Sequence, residues 1–307
     1  MENKKTYKIN SVGDFHQIAG LPKPQHPMVS LVDYSQVEYL IDSDSQISWI
    51  QNFYSIGLKR NMDGKLMYGQ QPYDFDEGLM AFVAPGQLIN FEIIKDPELK
   101  PSGWILCIHP DFLWNTPLAK SIKRYEFFGY AVNEALFLSE KEEVIIVNVM
   151  RNIEHEYNSS IDKFSQNIII AQIEVLLNYA ERFYQRQFIT RKITNHQILG
   201  KLENVLSDYF KNDNLSDLGL PTVQFISNNL NVSPNYLSSL LKILTGQNTQ
   251  QHIHEKIIEK AKEKLSTTHL SVSEIAYQLG FEHPQSFSRL FKSKTKKSPL
   301  EFRQAFN

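Results

Sequence analysis

The chain has 307 residues, 42 % of them hydrophobic and 21 % charged, which leaves room for two domains with real cores and does not fit a disordered chain. The formal net charge of −2 conceals a division: from Pro221 onward eleven Lys/Arg face six Asp/Glu, a surplus of +5, whereas the first 220 residues carry −7. A basic C-terminal third of this kind points toward an acidic partner, nucleic acid first among them.

In chain order, the residues from about Val12 to Leu138 have the pattern of strands. MVSLVDY, ISWIQNFYSIGL, GLMAFVAPGQLINFEII and GWILCI are short and rich in β-branched or aromatic residues, and Pro/Gly/Asp-rich connections separate them. Pro85-Gly86 marks a tight turn. A small β-barrel or sandwich is expected. Cys107, the single cysteine, excludes an intrachain disulfide and lies in the apolar run Trp104 to Ile108, where a buried small side chain is the expectation. No N-terminal stretch has the basic-then-apolar layout of a signal peptide, and no run approaches the ~18 apolar residues of a membrane span. The expected location is the cytoplasm, with no membrane partner.

Helical periodicity follows, from about Lys141 to Tyr157 and from Ser165 to Phe188. The second of these helices carries Ile169, Ile173, Leu176 and Ala180 on one stripe, which either packs on the β-domain or forms a dimer interface. A third helix, near His196 to Phe210, leads into NDNLSDLGLP, a polar stretch with the look of an interdomain linker. The expected division is 1–190, a β-domain with its helices; 191–220, helix and linker; and 221–307.

The last segment repeats itself. Leu237, Leu240 and Leu241 overlie Phe287, Leu290 and Phe291 at an offset of fifty, and Ser233-Pro234 overlies His283-Pro284. Pro at a first helical position loses no hydrogen bond, so each pair marks a helix start. Before the turn the offset is forty-nine: Ile226, Leu230 and Asn231 match Ile275, Leu279 and Gly280. Asn and Gly are the residues that most readily turn left-handed. On the face opposite each apolar stripe lie Asn235, Ser238, Ser239 and Lys242 in the first copy, and Gln285, Ser288, Arg289 and Lys292 in the second. Neither face carries a carboxylate, which suits a partner rich in acceptors and negative charge, as in a DNA major groove. Between the copies, Thr249 to Thr267 forms one helix with Ile253, Ile257, Ala261 and Leu265 inward. At ~1.5 Å per residue it spans about 28 Å, close to the ~34 Å of one DNA turn. The pattern Ser271-x-x-Glu274 is a capping box that restarts the chain.

With these residues in view, the last ninety or so positions resemble the double helix-turn-helix domain of the AraC/XylS transcription regulators. The likeness runs through Ile275-Ala276, Leu279-Gly280-Phe281, Phe287-Ser288-Arg289, Phe291-Lys292 and Ser298-Pro299 to Phe302-Arg303. Two positions depart from the family: Lys296 stands where Gly is usual, and Leu241 replaces a Phe. The resemblance implies an α+β two-domain protein, with an N-terminal cupin-like barrel and a C-terminal all-α double helix-turn-helix. It further implies double-stranded DNA as partner, a possible small-molecule effector, a homodimer, and RNA polymerase if the protein activates. YDFDEGLMAFVAPGQ is similar to part of such a barrel, more loosely than the C-terminal match.

Catalysis has no residues to rest on. His16, His26 and His109 are scattered, His252-x-His254 points in two directions on one helix, and no nucleophile elbow, P-loop or dinucleotide fingerprint occurs. The expectation is a non-enzymatic regulator without cofactor or metal. The alternatives are an effector-independent regulator whose front domain serves dimerisation or protein interaction, and an enzyme fused to a DNA-binding tail.

Overall fold

The computed structural model describes residues 6–38, 47–60, 67–68, 71–72, 78–91, 102–131, 134–159, 162–190, 192–212 and 215–305. It divides into two compact units, Met1–Gln187 and Phe188–Asn307. Of the stretch YDFDEGLMAFVAPGQ, residues 73–77 lie outside the described residues, as do 92–94 of the strand expected to end there.

The first unit starts with β1 (Thr6–Ile9), α1 (Val12–Ile18) and β2 (Val29–Asp33). There follow β3 (Ile47–Gln51), β4 (Tyr54–Arg60), β5 (Met67–Tyr68), β6 (Gln71–Pro72), β7 (Leu79–Val83), β8 (Leu88–Phe91) and β9 (Ser102–Ile108). Short α2 (Leu118–Ser121) and β10 (Leu136–Phe137) precede two long helices, α3 (Glu140–Tyr157) and α4 (Ser165–Thr190). The strands form a five-stranded sheet in the order β10-β7-β4-β9-β2, a three-stranded sheet β1-β3-β8, and the pair β5-β6. In the larger sheet the register sets Ser55 opposite both Cys107 and Val83. Ile9, Trp49 and Ile89 of the smaller sheet share one core with Val32, Val83, Ile105 and Cys107 of the larger. The α+β two-domain organisation thus stands: a sheet-rich region followed by helices.

Two helices, α1 and α2, differ in kind from the strands expected between Val12 and Leu138. Val12–Ile18 is a helix, because Ser11 accepts from the Asp14 amide while the Asp14 carboxylate accepts from the Ser11 amide. That reciprocal cap outweighs the weak helical preference of Val and Gly. Phe15 and His16 are buried beneath it; His16 is held by the Pro22 carbonyl at 2.5 Å and the Ser30 hydroxyl at 2.8 Å.

The stripe Ile169, Ile173, Leu176 and Ala180, expected to offer a dimer interface, lies inside the protein, at 4 %, 0 %, 0 % and 0 % exposure. Its apolar area is already removed from water within the single chain, so the interface reading of these four residues is corrected to a core role. The exposed side of α4 instead shows Ile168 and Val175, with Phe164 just before the helix.

The second unit comprises the end of α4, α5 (Lys192–Tyr209), α6 (Leu215–Leu218), α7 (Val223–Leu230), α8 (Pro234–Thr245), α9 (Thr249–Thr267), α10 (Val272–Gln278), α11 (Pro284–Thr295) and α12 (Pro299–Gln304). A single core serves both copies of the repeat: Leu202 and Leu206 of α5, Ile226, Leu237, Leu241, Ile253, Ile257, Ala261, Leu265, Ile275, Phe287 and Phe291. Of the expected linker 212–221, the described residues 212 and 215–221 belong to this unit. Leu215 is buried, and the Tyr209 hydroxyl donates to the Gly219 carbonyl at 3.0 Å.

Candidate nucleic-acid interface

Two helix pairs, α7–α8 and α10–α11, are built by the same local chemistry. Thr222 and Ser271 cap the first helix of each pair, accepting from the amides of Phe225 and Glu274. The turns then need a left-handed residue, supplied by Asn231 at φ 55° and Gly280 at φ 89°. Gly280 has a further reason to be glycine: a Cβ there would lie 2.4 Å from the Gly219 carbonyl oxygen, so α10 packs against the end of α6 only without one. Pro234 and Pro284 open the second helices. Gly246 at φ 78° and Lys296 at φ 64° close them in the same conformation. The departure at Lys296 therefore leaves the turn's geometry intact and places a non-glycine residue in a strained region.

The repeat continues beyond the second helices. Asn248 and Ser298, again fifty apart, cap α9 and α12 through matching boxes with Gln251 and Glu301. Thr245 and Thr295 each donate back to a helix carbonyl, those of Leu241 and Phe291, at 2.8 Å. Arg303, part of the family signature, faces inward: its guanidinium donates to the carbonyls of Leu270 at 2.6 Å and Leu265 at 3.3 Å, tying α12 to the α9–α10 connection. Its role here is structural.

The outward faces differ between the copies. On α11, Gln285, Arg289 and Lys292 are exposed and Ser288 is half-buried. None of the ion pairs among the described residues involves Arg289, so Glu282 does not engage it. Lys294, Lys296 and Lys297 extend this positive surface beyond the four residues chosen from the sequence, as does the exposed Ser286. Lys292 and Lys297 also act on Glu301, whose carboxyl is held below the usual carboxylate range chiefly by its hydrogen bonds to Ser298.

On α8 only Asn235 and Lys242 of the four expected residues are exposed. The Ser238 hydroxyl is 3.0 Å from that of Thr249, the buried first residue of α9, and Ser239 is buried at 9 %. Ser239 is thus corrected from an outward to a covered position. The wheel put it 40° from Asn235 at ~100° per residue, at the margin of the face, where tertiary packing decides. Tyr236 beside it is also buried, its ring 5.1 Å from that of Phe188.

Cys107 is fully buried, and burial pushes its thiol far up, away from the reactive thiolate. Among the described residues no group of three His, Cys, Asp or Glu could hold a metal, and no helix is long and apolar enough to cross a membrane.

A family model described as a helix-turn-helix domain matches residues 226–305. An uncharacterized HTH-type transcriptional regulator from the cgkA 5′ region of Pseudoalteromonas carrageenovora is 33 % identical over 99 residues, covering 32 % of this chain and 57 % of that protein. The uncharacterized HTH-type regulator YfiF of Bacillus subtilis is 32 % identical over 143 residues, 46 % of this chain and 42 % of its own length. The chain thus spans about half the length of these two curated relatives. Among solved structures, the C-terminal domain of the two-component response regulator yesN from Fusobacterium nucleatum is 32 % identical, covering 33 % of this chain and 93 % of that one, with a TM-score of 0.30. The family-model match falls on the segment where the structure shows two capped helix pairs around one core. Residues 226–305 thus carry a helix-turn-helix domain, similar in sequence to HTH-type transcriptional regulators.

Proposed function

We propose that this protein is a sequence-specific DNA-binding transcription regulator that reads DNA chiefly with α11. The carrying observation is the exposed row Gln285, Arg289 and Lys292 on a helix that contains no carboxylate, next to Lys294, Lys296 and Lys297. Arg289 is assigned to a guanine edge and Lys292 to a phosphate. The first copy contributes Asn235 and Lys242, with Ser238 spent on Thr249. Since the two faces differ, the site for one chain is not palindromic and runs over roughly two successive major grooves. Selection from randomised DNA by the full chain tests this. A non-palindromic motif spanning both grooves supports the reading; a motif confined to one groove, or no enrichment, counts against it.

The division of labour is the first unit, Met1–Gln187, for response and assembly and the second, Phe188–Asn307, for DNA, so the segment 191–220 that the sequence marked as helix and linker works with the second unit. In this reading the first unit is a cupin-like sensor of a small-molecule effector, and RNA polymerase is a further partner if the protein activates. A second reading, in which the first unit only assembles, has its own support. The rings of Phe82, Phe127, Phe128 and Tyr184 touch one another at 4.5–6.1 Å, filling space between β7 and α4 with side chains. The homodimer is placed on the exposed side of α4. Phe164, Ile168 and Val175, at 55 %, 42 % and 41 % exposure, recur at the four- and seven-residue steps of a helix seam.

A further inference from the structure

The two faces of the five-stranded sheet in the first unit are covered differently. On one face Ile56, Leu58 and Met80 are fully buried, and the ring of Phe82 packs on those of Phe127 and Tyr184. Residues directly opposite on paired strands share a face. Ser55, Gly57 and Lys59 of the central strand β4 therefore line the other face, with Ala81 and Val83 of β7 and Ile105 and Cys107 of β9. This inner face looks toward the smaller sheet, since Val83, Ile105 and Cys107 share a core with Trp49 and Ile89. Yet Ser55, Lys59 and Ala81 are only half-buried. The middle of the sheet thus carries a serine, a glycine and a lysine where a filled core would have large apolar side chains.

Gly57 marks where space remains. A Cβ built there would find a single neighbouring heavy atom within 4 Å, the Cε of Lys59 at 3.7 Å. A buried core residue ordinarily touches roughly six or more others, so the volume above Gly57 is left unfilled. The Lys59 side chain folds back over it, and the ammonium lies 5.2 Å from the ring centroid of Tyr34, a buried member of the same core. None of the ion pairs among the described residues involves Lys59. A cation thus stands beside an apolar space without a carboxylate, an arrangement that costs free energy until an anion arrives. At the other end Gln51 donates to the Ser55 hydroxyl and the Phe53 carbonyl, both at 2.9 Å, and joins the two sheets. From Ser55 to Lys59 the strand runs about 13 Å at ~3.3 Å per residue, which limits the space to a short ligand. One ammonium balances one negative charge, whereas a phosphate dianion would leave charge uncompensated.

We propose that the first unit binds a short organic acid between its two sheets, with the carboxylate on the Lys59 ammonium and the hydrocarbon over Gly57. This rests on the reading of the first unit as the sensor of a small-molecule effector, and it names the chemical class of that effector as a monocarboxylate. Tyr34 holds the ammonium in place through its ring face. Ala81, Val83 and Ile105 offer apolar surface to the rest of the acid.

The test titrates butyrate and benzoate, and their neutral counterparts butyramide and benzamide, into the full chain while melting is followed. Three forms are compared: parent, Lys59→Met and Gly57→Ala. Lys59→Met keeps the stem over Gly57 and removes the charge. Gly57→Ala keeps the charge and takes up part of the space; with its one neighbour at 3.7 Å it fits the strand, and it serves should the methionine variant fail to fold. At least one acid should raise the parent's melting temperature saturably, by about 2–4 °C, where its amide does not. Lys59→Met should lose that response, and Gly57→Ala should need roughly threefold to tenfold more acid for it. No response to either acid, equal responses to acid and amide, or a Lys59→Met chain that responds like the parent would each overturn the site. Affinity for the selected DNA, measured with and without the acid, separates the site from the sensor reading. An acid that binds through Lys59 and leaves DNA affinity unchanged upholds the site and removes the sensor role. A DNA response to an amide without one to its acid keeps the sensor role and overturns the acid site.

Discussion

Arg289 and Lys292 sit one turn apart on α11, yet they should fail in different ways. A guanidinium can donate two parallel hydrogen bonds to one guanine, worth ~1–3 kcal/mol of discrimination. Arg289→Ala should therefore lose preference at one or two base pairs while keeping much of its non-specific affinity. Lys292→Ala should weaken all sequences alike and lower the salt slope by roughly one unit. Binding selections over randomised sites check both; an Arg289→Ala profile identical to the parent's at every position would remove Arg289 from the reading set. The two left-handed positions also predict opposite effects. Gly280→Ala drives a Cβ to 2.4 Å from a backbone oxygen and should cost about 3 kcal/mol in unfolding measurements. Lys296→Gly relieves a φ of 64° and should stabilise by about 1 kcal/mol. The sequence marked both sites through Gly and its substitute; the contact with Gly219 was invisible, because it joins residues 61 positions apart.

Helix α9 holds the two reading pairs around one core, and it carries two half-buried histidines that point in different directions. Burial lowers the pKa of His252, opposed by Glu255 and Glu203, and lowers that of His254, with Lys294 adding to the effect. Each histidine is therefore kept neutral more firmly in the fold than in the unfolded chain, where it titrates near 6.5. The resulting stability is fully present above that value and is lost as pH falls through the lower, folded pKa values. Thermal melting should drop between about pH 7.5 and about pH 5.5, and the double change His252→Gln, His254→Gln should flatten that drop. An equal drop in the double variant would assign the acid sensitivity elsewhere. Arg303, on α12, donates to the carbonyls of Leu265 near the other end of α9 and of Leu270 beyond it, and Arg303→Ala should destabilise by about 1.5–3 kcal/mol with Arg303→Lys recovering only part. Chemical denaturation checks both.

At the scale of the whole molecule, the two sides of α4 separate folding from assembly. Ile173→Asp places a charge at a position with 0 % exposure and should unfold the first unit. Val175→Asp, at 41 % exposure, should leave melting nearly unchanged and convert a dimer to a monomer in a mass measurement. Unchanged mass in a dimeric parent would remove this face from the interface.

The sequence by itself determined the repeat, because its signals are local. Caps, prolines and left-handed residues act within four positions, and the apolar stripes of α8, α9 and α11 show which side each helix must bury. It also determined the strand content of the first unit through alternating β-branched and aromatic runs. Only the tertiary structure decided which outward residues stay outward. Ser239 and Ser288 are both serines on polar faces, and nothing within one turn of either foretells that Ser239 is covered. The stripe on α4 was legible as apolar, but a helix pattern records that a face avoids water and not whether the same chain or a second copy excludes it. Such outcomes depend on residues far apart in sequence, as with Gln187 and Phe137 or Phe188 and Tyr236, whose meeting no periodicity encodes.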